Sequence, residues 1–175
     1  PRTDGIMTAV SADGIWVLDD TEFMQTAVRL TGDVEYVPNA LLTPQEFEGR
    51  TDIRIGQPGN EIQYATSRMR IRILPGSYLI CGYSVDFASR MYVNGKLLFE
   101  AGVPGDSRET TVPGVKYYQL PVSPDADGEI VIVQQASNFT HKDGGTHGTL
   151  YIGMPEWINR YTFRNLWPEV ILMGC

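Results

Sequence analysis

Short apolar or alternating runs, each bounded by Gly, Pro, Asn or Asp, recur along the whole chain. Runs of about four to eight residues with these boundaries are typical of strands in a β-sandwich. We therefore expect an all-β, antiparallel β-sandwich with one or two short helices. The pattern predicts strands over 14–18, 27–30, 34–37, 68–74, 77–83, 89–93, 96–99, 116–122, 129–135 and 149–152.

The clearest turn signal in the chain is Asn94-Gly95, which lies between the apolar runs 91–93 and 96–99. Asn-Gly tolerates positive φ at both central positions of a type I′ turn, the turn that matches the twist of two paired strands. The sequence therefore predicts a tight hairpin centred on these two residues.

The run 68–73 alternates strictly between arginine and an apolar residue. Successive side chains of a strand point to opposite faces, so Met69, Ile71 and Ile73 are expected to face the core and the three arginines to face solvent. An anion site along the arginine row is the alternative. A solvated sheet face is favoured because antiparallel sheets often have one wet side.

Two helices are predicted. The run Thr43-Pro44-Gln45-Glu46 has a capping hydroxyl, proline at the first helical position and a glutamate that can reach back to the cap. This helix should be short and stop near Gly49. The second helix should run from Glu156 towards Trp167, where Pro168 interrupts it.

The chain has 175 residues, which is the size of one domain. We expect the sandwich to occupy residues 1–160 and residues 161–175 to form a separate C-terminal segment. The net charge is −7 and lysines and arginines are not clustered, which argues against nucleic acid as a partner. Cys81 and Cys175 are far apart in sequence and fit neither a disulfide framework nor a zinc motif.

Catalytic motifs are missing from the sequence. There is no Gly-x-Ser-x-Gly elbow, and neither cysteine has a histidine partner suggested by sequence. Paired carboxylates, such as those of glycosidases, are set by spatial separation. Asp86, Glu100 and Asp106 are the nearest candidates, and a solvated or turn role is favoured for each. We expect no catalytic residue and no cofactor.

The longest polar loop, 138–148, holds both histidines of the chain beside an aspartate. Two histidines and an aspartate could ligate zinc, but their spacing matches no established motif and a further ligand would be needed. No metal is therefore expected. Loops at the end of a sandwich often carry binding groups, and Gly144-Gly145 allows close backbone approach.

The predicted ligand-binding residues combine ring faces with polar tips, as small-ligand sites require. A purely structural loop, in which the asparagine satisfies neighbouring backbone groups, is the alternative. The predicted site consists of Asn138, Phe139, His141, Asp143, Tyr83 and Trp16.

The segment from Tyr83 to Lys96, which contains Val93-Asn94-Gly95, resembles the galactose-binding-like jelly roll at the front of β-glucuronidases and related glycoside hydrolases. Those domains also carry a valine-asparagine-glycine hairpin. The resemblance implies a jelly-roll fold.

A second resemblance covers nearly the whole chain. The runs 30–47, 92–96, 100–102, 136–139 and 150–153 resemble the extracellular sensor domain of seven-transmembrane receptors with diverse intracellular signalling modules. Where that family has tryptophan after the early glycine, this chain has Val34. The resemblance implies an extracytoplasmic domain at a bacterial plasma membrane, with residues 161–175 as its juxtamembrane segment and the anchor in segments beyond Cys175. The receptor's output would be a histidine kinase or diguanylate cyclase, and a homodimer is compatible with it.

Three functions are consistent with these observations. The first is sensing of a carbohydrate or other small polar ligand for transmembrane signalling. The second is an accessory carbohydrate-binding module of a secreted glycoside hydrolase. The third is a structural interaction domain without a small ligand.

Overall fold

The computed structural model describes residues 6–140 and 148–165, except for the side chains of Val85 and Asp86. These ranges contain eleven strands, two α-helices, α1 (Pro44–Glu48) and α2 (Pro155–Asn165), and a 3₁₀ turn at Thr21–Gln25. The strands are β1 (Ile6–Val10), β2 (Ile15–Leu18), β3 (Ala27–Thr31), β4 (Val34–Pro38), β5 (Arg54–Gly56), β6 (Tyr64–Ile73), β7 (Tyr78–Val93), β8 (Lys96–Ala101), β9 (Gly114–Val122), β10 (Glu129–Ser137) and β11 (Leu150–Gly153).

The strands form two layers joined by β7. The first sheet has the order β1-β3-β11-β7-β9, and the second has β5-β4-β6-β10-β7-β8 with β2 also paired to β6. The pairs are antiparallel except β1 with β3 and β2 with β6. Apolar side chains from both sheets meet in one core. The predicted all-β sandwich is confirmed.

Strand β7 differs from the prediction of two separate strands over 77–83 and 89–93. It is continuous for 16 residues: its first half pairs with β9 and β11, and its second half with β8 and β10. The register against β9 shifts between Ser84 and Phe87, where the strand passes from one sheet to the other. A bulge of this kind bends a strand without ending it, which a local pattern of polar residues does not reveal.

The predicted hairpin joins β7 to β8. Asn94 and Gly95 have φ values of 47° and 79°, as a type I′ turn requires. The Asn94 side chain also fixes the turn to its neighbours, because its Oδ1 accepts a hydrogen bond from the Val131 backbone N–H at 2.8 Å and its Nδ2 donates to the Ser123 carbonyl at 3.1 Å. The hairpin is therefore tied to β10 and to the segment that follows β9.

The arginine row of β6 is only partly solvent-facing. Met69, Ile71 and Ile73 are buried, as predicted, and the Arg72 side chain is 56% exposed. The prediction is wrong for Arg68, which is buried with 4% of its surface exposed. Helix α1 covers it and supplies a charged partner, so burial leaves no unpaired charge.

Both predicted helices are present. At α1, Thr43 Oγ1 accepts from the Glu46 backbone N–H, and the Glu46 carboxylate accepts from the Thr43 N–H, which completes the predicted capping box. Helix α2 packs its buried Ile158 against the outer face of the first sheet. Within the described ranges, neither helix has the length and apolar character needed to cross a membrane.

Candidate functional site

Four of the predicted site residues lie in the described part of the chain: Asn138, Phe139, Tyr83 and Trp16. At the end of the sandwich, Asn138 is buried and its backbone N–H donates to the Gln63 carbonyl at 2.6 Å. Its Oδ1 also accepts from the Thr140 backbone N–H at 3.4 Å. These contacts fit the structural alternative, in which the asparagine orders the start of the loop. His141 and Asp143 lie outside the described residues.

Phe139 belongs to a small surface cluster at the same end of the sandwich. Its ring stacks on Tyr64, with the ring centroids 6.1 Å apart and an interplanar angle of 27°. Arg108 donates through Nη2 to the Phe139 carbonyl at 2.7 Å. The half-buried ring of Phe139 therefore packs against Tyr64, and its backbone carbonyl is bound by the Arg108 guanidinium.

Tyr83 and Trp16 lie elsewhere. Tyr83 is half-buried on the outer face of the first sheet, where its ring lies 5.4 Å from that of Tyr117. Trp16 is only 1% exposed and its Nε1 donates to the Thr31 carbonyl at 2.9 Å. Trp16 is thus a core residue, and the prediction that it binds a ligand is wrong. The alternation of side chains along β2 directs its ring into the core.

A broad groove of about 750 Å³ lies instead on the outer face of the second sheet. This volume is within the usual range for small-ligand sites. The floor is formed by Val131 and Val133 of β10 and by Tyr92, which is paired with Val133 across the two strands. Tyr92 points outward because its neighbours in β7, Met91 and Val93, are buried in the core. The floor thus combines an aromatic ring with two aliphatic side chains.

One wall of the groove is α1 with its N-cap, which contributes Thr43, Pro44, Gln45 and Glu48. The capping box fixes the first turn of this helix, and two hydrogen bonds from Thr43 hold the pKa of Glu46 below its ordinary value. Because the Thr43 hydroxyl donates to Glu46 Oε2 and accepts from the Glu46 N–H, it is already used within the helix.

The wall is anchored to the sheet by Arg68. Its Nη1 donates to Glu48 Oε1 at 2.7 Å, and its guanidinium carbon lies 4.9 Å from the centre of the buried Phe47 ring. Its Nε and Nη2 donate to Glu35 of β4 at 2.6 and 2.9 Å. Burial disfavours the charged form, but these hydrogen bonds and charges outweigh it and raise the pKa of Arg68. Arg68 therefore fixes the position of α1 over the sheet.

The opposite wall consists of the β7–β8 hairpin and the segment before β10, with Asn94, Gly95 and Asp125 at the groove. Both ends of the Asn94 amide are used to fix the turn. Asp125 Oδ1 accepts the backbone N–H groups of Asp127 and Glu129 at 3.0 and 2.9 Å. These hydrogen bonds make the wall rigid, and they already occupy part of the hydrogen-bonding capacity of its polar groups.

Four polar side chains of the groove keep hydrogen-bonding capacity for a ligand. Within the described part of the chain, the Gln45 amide and the Tyr92 hydroxyl have no protein hydrogen bond, and one oxygen each of Glu48 and Asp125 is also unengaged. A ligand can thus meet an aromatic face, an amide, a phenol and two carboxylates.

Sequence reasoning missed this groove, because its residues come from three separate segments. Two local signals pointed towards it: the capping box of α1, and the two valines of β10 that alternate outward from the core. Neither signal indicates that α1 lies beside Tyr92. The position of α1 depends on the ion pairs of Arg68 with residues distant in sequence.

Other candidate chemistry has little geometric support. No group of three or more potential metal ligands occurs among residues 6–140 and 148–165. Glu100 pairs with Arg90 at 2.8 Å, and Asp106 accepts a hydrogen bond from Thr110 in its own loop. Both carboxylates therefore have structural partners of the kind expected for solvated or turn residues.

Comparison with known proteins finds only distant structural similarities. No family model matches the chain, and no curated protein matches it. A β-glucuronidase from Faecalibacterium prausnitzii is 10% identical with a TM-score of 0.46, covering 73% of this chain and 31% of that one. A β-glucuronidase from an uncultured Clostridium sp. is 13% identical with a TM-score of 0.46, covering 74% and 29%.

The PA14 sugar-binding domain from an RTX adhesin is 15% identical with a TM-score of 0.30, and the match covers 51% of this chain and 44% of that domain. This chain therefore spans less than half the length of each of these three structures. TM-scores and identities this low establish no functional relationship.

Proposed function

We propose that this domain is a binding module for a small polar ligand, with a carbohydrate as the best match, and that the ligand occupies the groove between α1 and the β7–β8 hairpin. The observation that carries the proposal is the outward-facing Tyr92 on an aliphatic floor, flanked by unengaged polar groups of Gln45, Glu48 and Asp125.

The chemistry of a sugar ring fits this arrangement. One face of a pyranose is rich in C–H groups and can lie on the Tyr92 ring, while its hydroxyls point outward to polar groups at the rim. The Gln45 amide can both donate and accept, and the carboxylates can only accept. In this proposal the polar groups orient a bound ligand and take no part in catalysis.

We further propose that the domain works on the extracytoplasmic side of a bacterial membrane as the sensor of a signalling receptor. The sequence resemblance of the runs 30–47 and 136–139 supports this role. In this role, helix α2 transmits a change in the sheets towards the membrane. It is attached to the first sheet, because Ile158 is buried there and Gln119 donates to Asn159 at 2.6 Å.

An accessory module of a secreted glycoside hydrolase is the second candidate, since ligand binding in the groove serves it equally well. The full-length gene separates the two: hydrophobic helices following this domain support the receptor, and a catalytic barrel supports the hydrolase.

The binding proposal is tested by a thermal-shift screen with mono- and oligosaccharides, followed by calorimetry on the variants Tyr92→Ala and Gln45→Ala. Each substitution should weaken the binding of a sugar by about tenfold, because the loss of one aromatic or hydrogen-bond contact costs about 1.4 kcal/mol of binding free energy. The controls are Tyr64→Ala, which removes an aromatic ring outside the groove, and Gln57→Ala, which removes an exposed amide. A sugar whose affinity survives both groove substitutions places the site elsewhere, and a screen without any binder overturns carbohydrate binding.

A further inference from the structure

The charged side chains that line the groove have one sign. Among the described residues they are Glu48 on the α1 wall and Asp125 on the opposite wall, and no lysine or arginine lines the groove with them. A carboxylate accepts hydrogen bonds and cannot donate when ionised. The charge and hydrogen-bonding inventory of the groove therefore distinguishes between classes of ligand.

The carboxylate of Glu48 is held in place while it stays accessible. Arg68 binds only Oε1, and 66% of the Glu48 side chain is exposed. Arg68 itself is 5% exposed at its side chain and donates its other nitrogens to Glu35, so a ligand in the groove meets the carboxylate and not the guanidinium. The neighbouring Arg70 is directed to Glu35 at 3.6 Å and does not line the groove.

The carboxylate of Asp125 is equally fixed. Oδ1 accepts two backbone N–H groups of the turn before β10, and the Asp125 backbone N–H donates to the Glu129 carbonyl at 2.8 Å. These contacts orient the side chain in the free protein and leave Oδ2 for a ligand. Two pre-oriented acceptors on opposite walls cost little ordering entropy when a donor arrives.

We propose that the groove selects sugars that carry a free amino group, accepts neutral sugars more weakly and rejects uronic acids and other anionic sugars. This inference rests on the proposed function. An ammonium group supplies three donors and a positive charge to Glu48, while Asp125 on the opposite wall adds to the negative charge of the groove. A hydroxyl supplies one donor, and a sugar carboxylate meets like charge. For partly exposed charge pairs the effect is about fivefold in affinity in each direction.

Calorimetry with amino, neutral and uronic forms of glucose, galactose and mannose, as monosaccharides and tetramers, tests the inference. For the sugar series that binds, the amino form should bind about fivefold more tightly than the neutral form and the uronic form about fivefold more weakly. The difference should shrink as salt is raised from 20 to 500 mM, because exposed charges are screened.

The variant Glu48→Gln keeps the shape of the side chain and an oxygen for Arg68 but removes the charge. It should abolish most of the preference for the amino form, so that the amino and neutral sugars bind with affinities within about twofold of each other. Glu22→Gln is the matched control, because Glu22 is exposed in the 3₁₀ turn and does not line the groove. Circular dichroism and the melting temperature establish that each variant is folded.

The outcomes separate this inference from the proposed function. Neutral or uronic sugars that bind as tightly as the amino form, or a preference unchanged in Glu48→Gln, overturn charge selection and leave sugar binding in place. If no sugar of any class binds, both fall.

Discussion

Arg68 and Glu35 form a two-point ion pair across β6 and β4, with Nε 2.6 Å from Oε2 and Nη2 2.9 Å from Oε1. The side chains are 5% and 17% exposed, so the pair is shielded from water. Parallel hydrogen bonds between a guanidinium and a carboxylate fix both distance and orientation. With Glu48 as a third member, the pair joins the sheet to the helix that forms one wall of the groove.

Arg68→Met is expected to destabilise the domain by about 2–4 kcal/mol, because it removes both short hydrogen bonds of the partly buried Glu35 carboxylate and leaves only the longer ion pair to Arg70. Urea unfolding followed by fluorescence measures this. The matched control is Arg72→Met in the same strand, whose pair with Glu129 is exposed and should contribute less than about 1 kcal/mol. Equal losses in both variants would show that the Arg68 pair adds nothing beyond a surface ion pair.

Gly95→Ala is expected to cost about 1–2 kcal/mol of stability through its backbone alone. Gly95 has φ of 79°, and an added Cβ would meet no atom within 4 Å, so the cost comes from the left-handed conformation and not from a clash. The control Gly49→Ala lies at the end of α1 with φ of −80°, where alanine is unstrained. Thermal melts in which the two variants lose the same stability would contradict a type I′ turn.

Stability should fall as the pH rises above about 9. Burial raises the pKa of the Cys81 thiol to about 12 from its ordinary value of 9.0, and burial likewise raises the pKa of Tyr117 to about 12 from 10.0. Above the unfolded pKa values the unfolded chain loses protons that the folded chain keeps, so unfolding is favoured. The stabilisation is complete below pH 9 and is lost progressively towards pH 12.

Urea midpoints between pH 7 and 11 test this expectation. The decline should be shallower in Cys81→Ala, by up to about 1.4 kcal/mol per pH unit for the single thiol, and shallower in Tyr117→Phe as well. Slopes identical to the parent protein in both variants would mean that other groups govern the alkaline response.

The loop 138–148 gives a separate prediction about ligand position. If the loop forms the site, His141→Ala and Asp143→Ala should each weaken a sugar about tenfold without loss of folding, whereas Tyr92→Ala should not. The groove proposal predicts the reverse. Calorimetry on the three variants with the same sugar decides between the two positions.

How far the sequence predicts this protein depends on whether a feature is local. The turn at Asn94-Gly95 and the capping box at Thr43 follow from contacts within about four residues, and both occur as predicted. Strand β5 was not predicted, because its three residues are too few to show an alternation of apolar and polar positions. Strand β1 was missed as well, although its five residues include the buried Ala9.

Features that depend on long-range pairing could not be derived in this way. Alternation places Arg68 on the outer face of β6 correctly, but solvent exposure of that face depends on α1, which reaches it from 20 positions away in sequence. The same holds for Trp16, whose aromatic ring suggests a ligand platform until the pairing of β2 with β6 turns it inward. The outward Tyr92 is distinguished from core aromatics only by the strands beside it.

The course of β7 also governs how the domain comes apart. Because this strand gives hydrogen bonds to β9 and β11 in one sheet and to β8 and β10 in the other, neither sheet can open without breaking contacts that the other shares. We therefore expect the two layers to unfold as one cooperative unit, and the amide protons of β7 that lie in its regular ladders to be among the slowest in the domain to exchange with solvent.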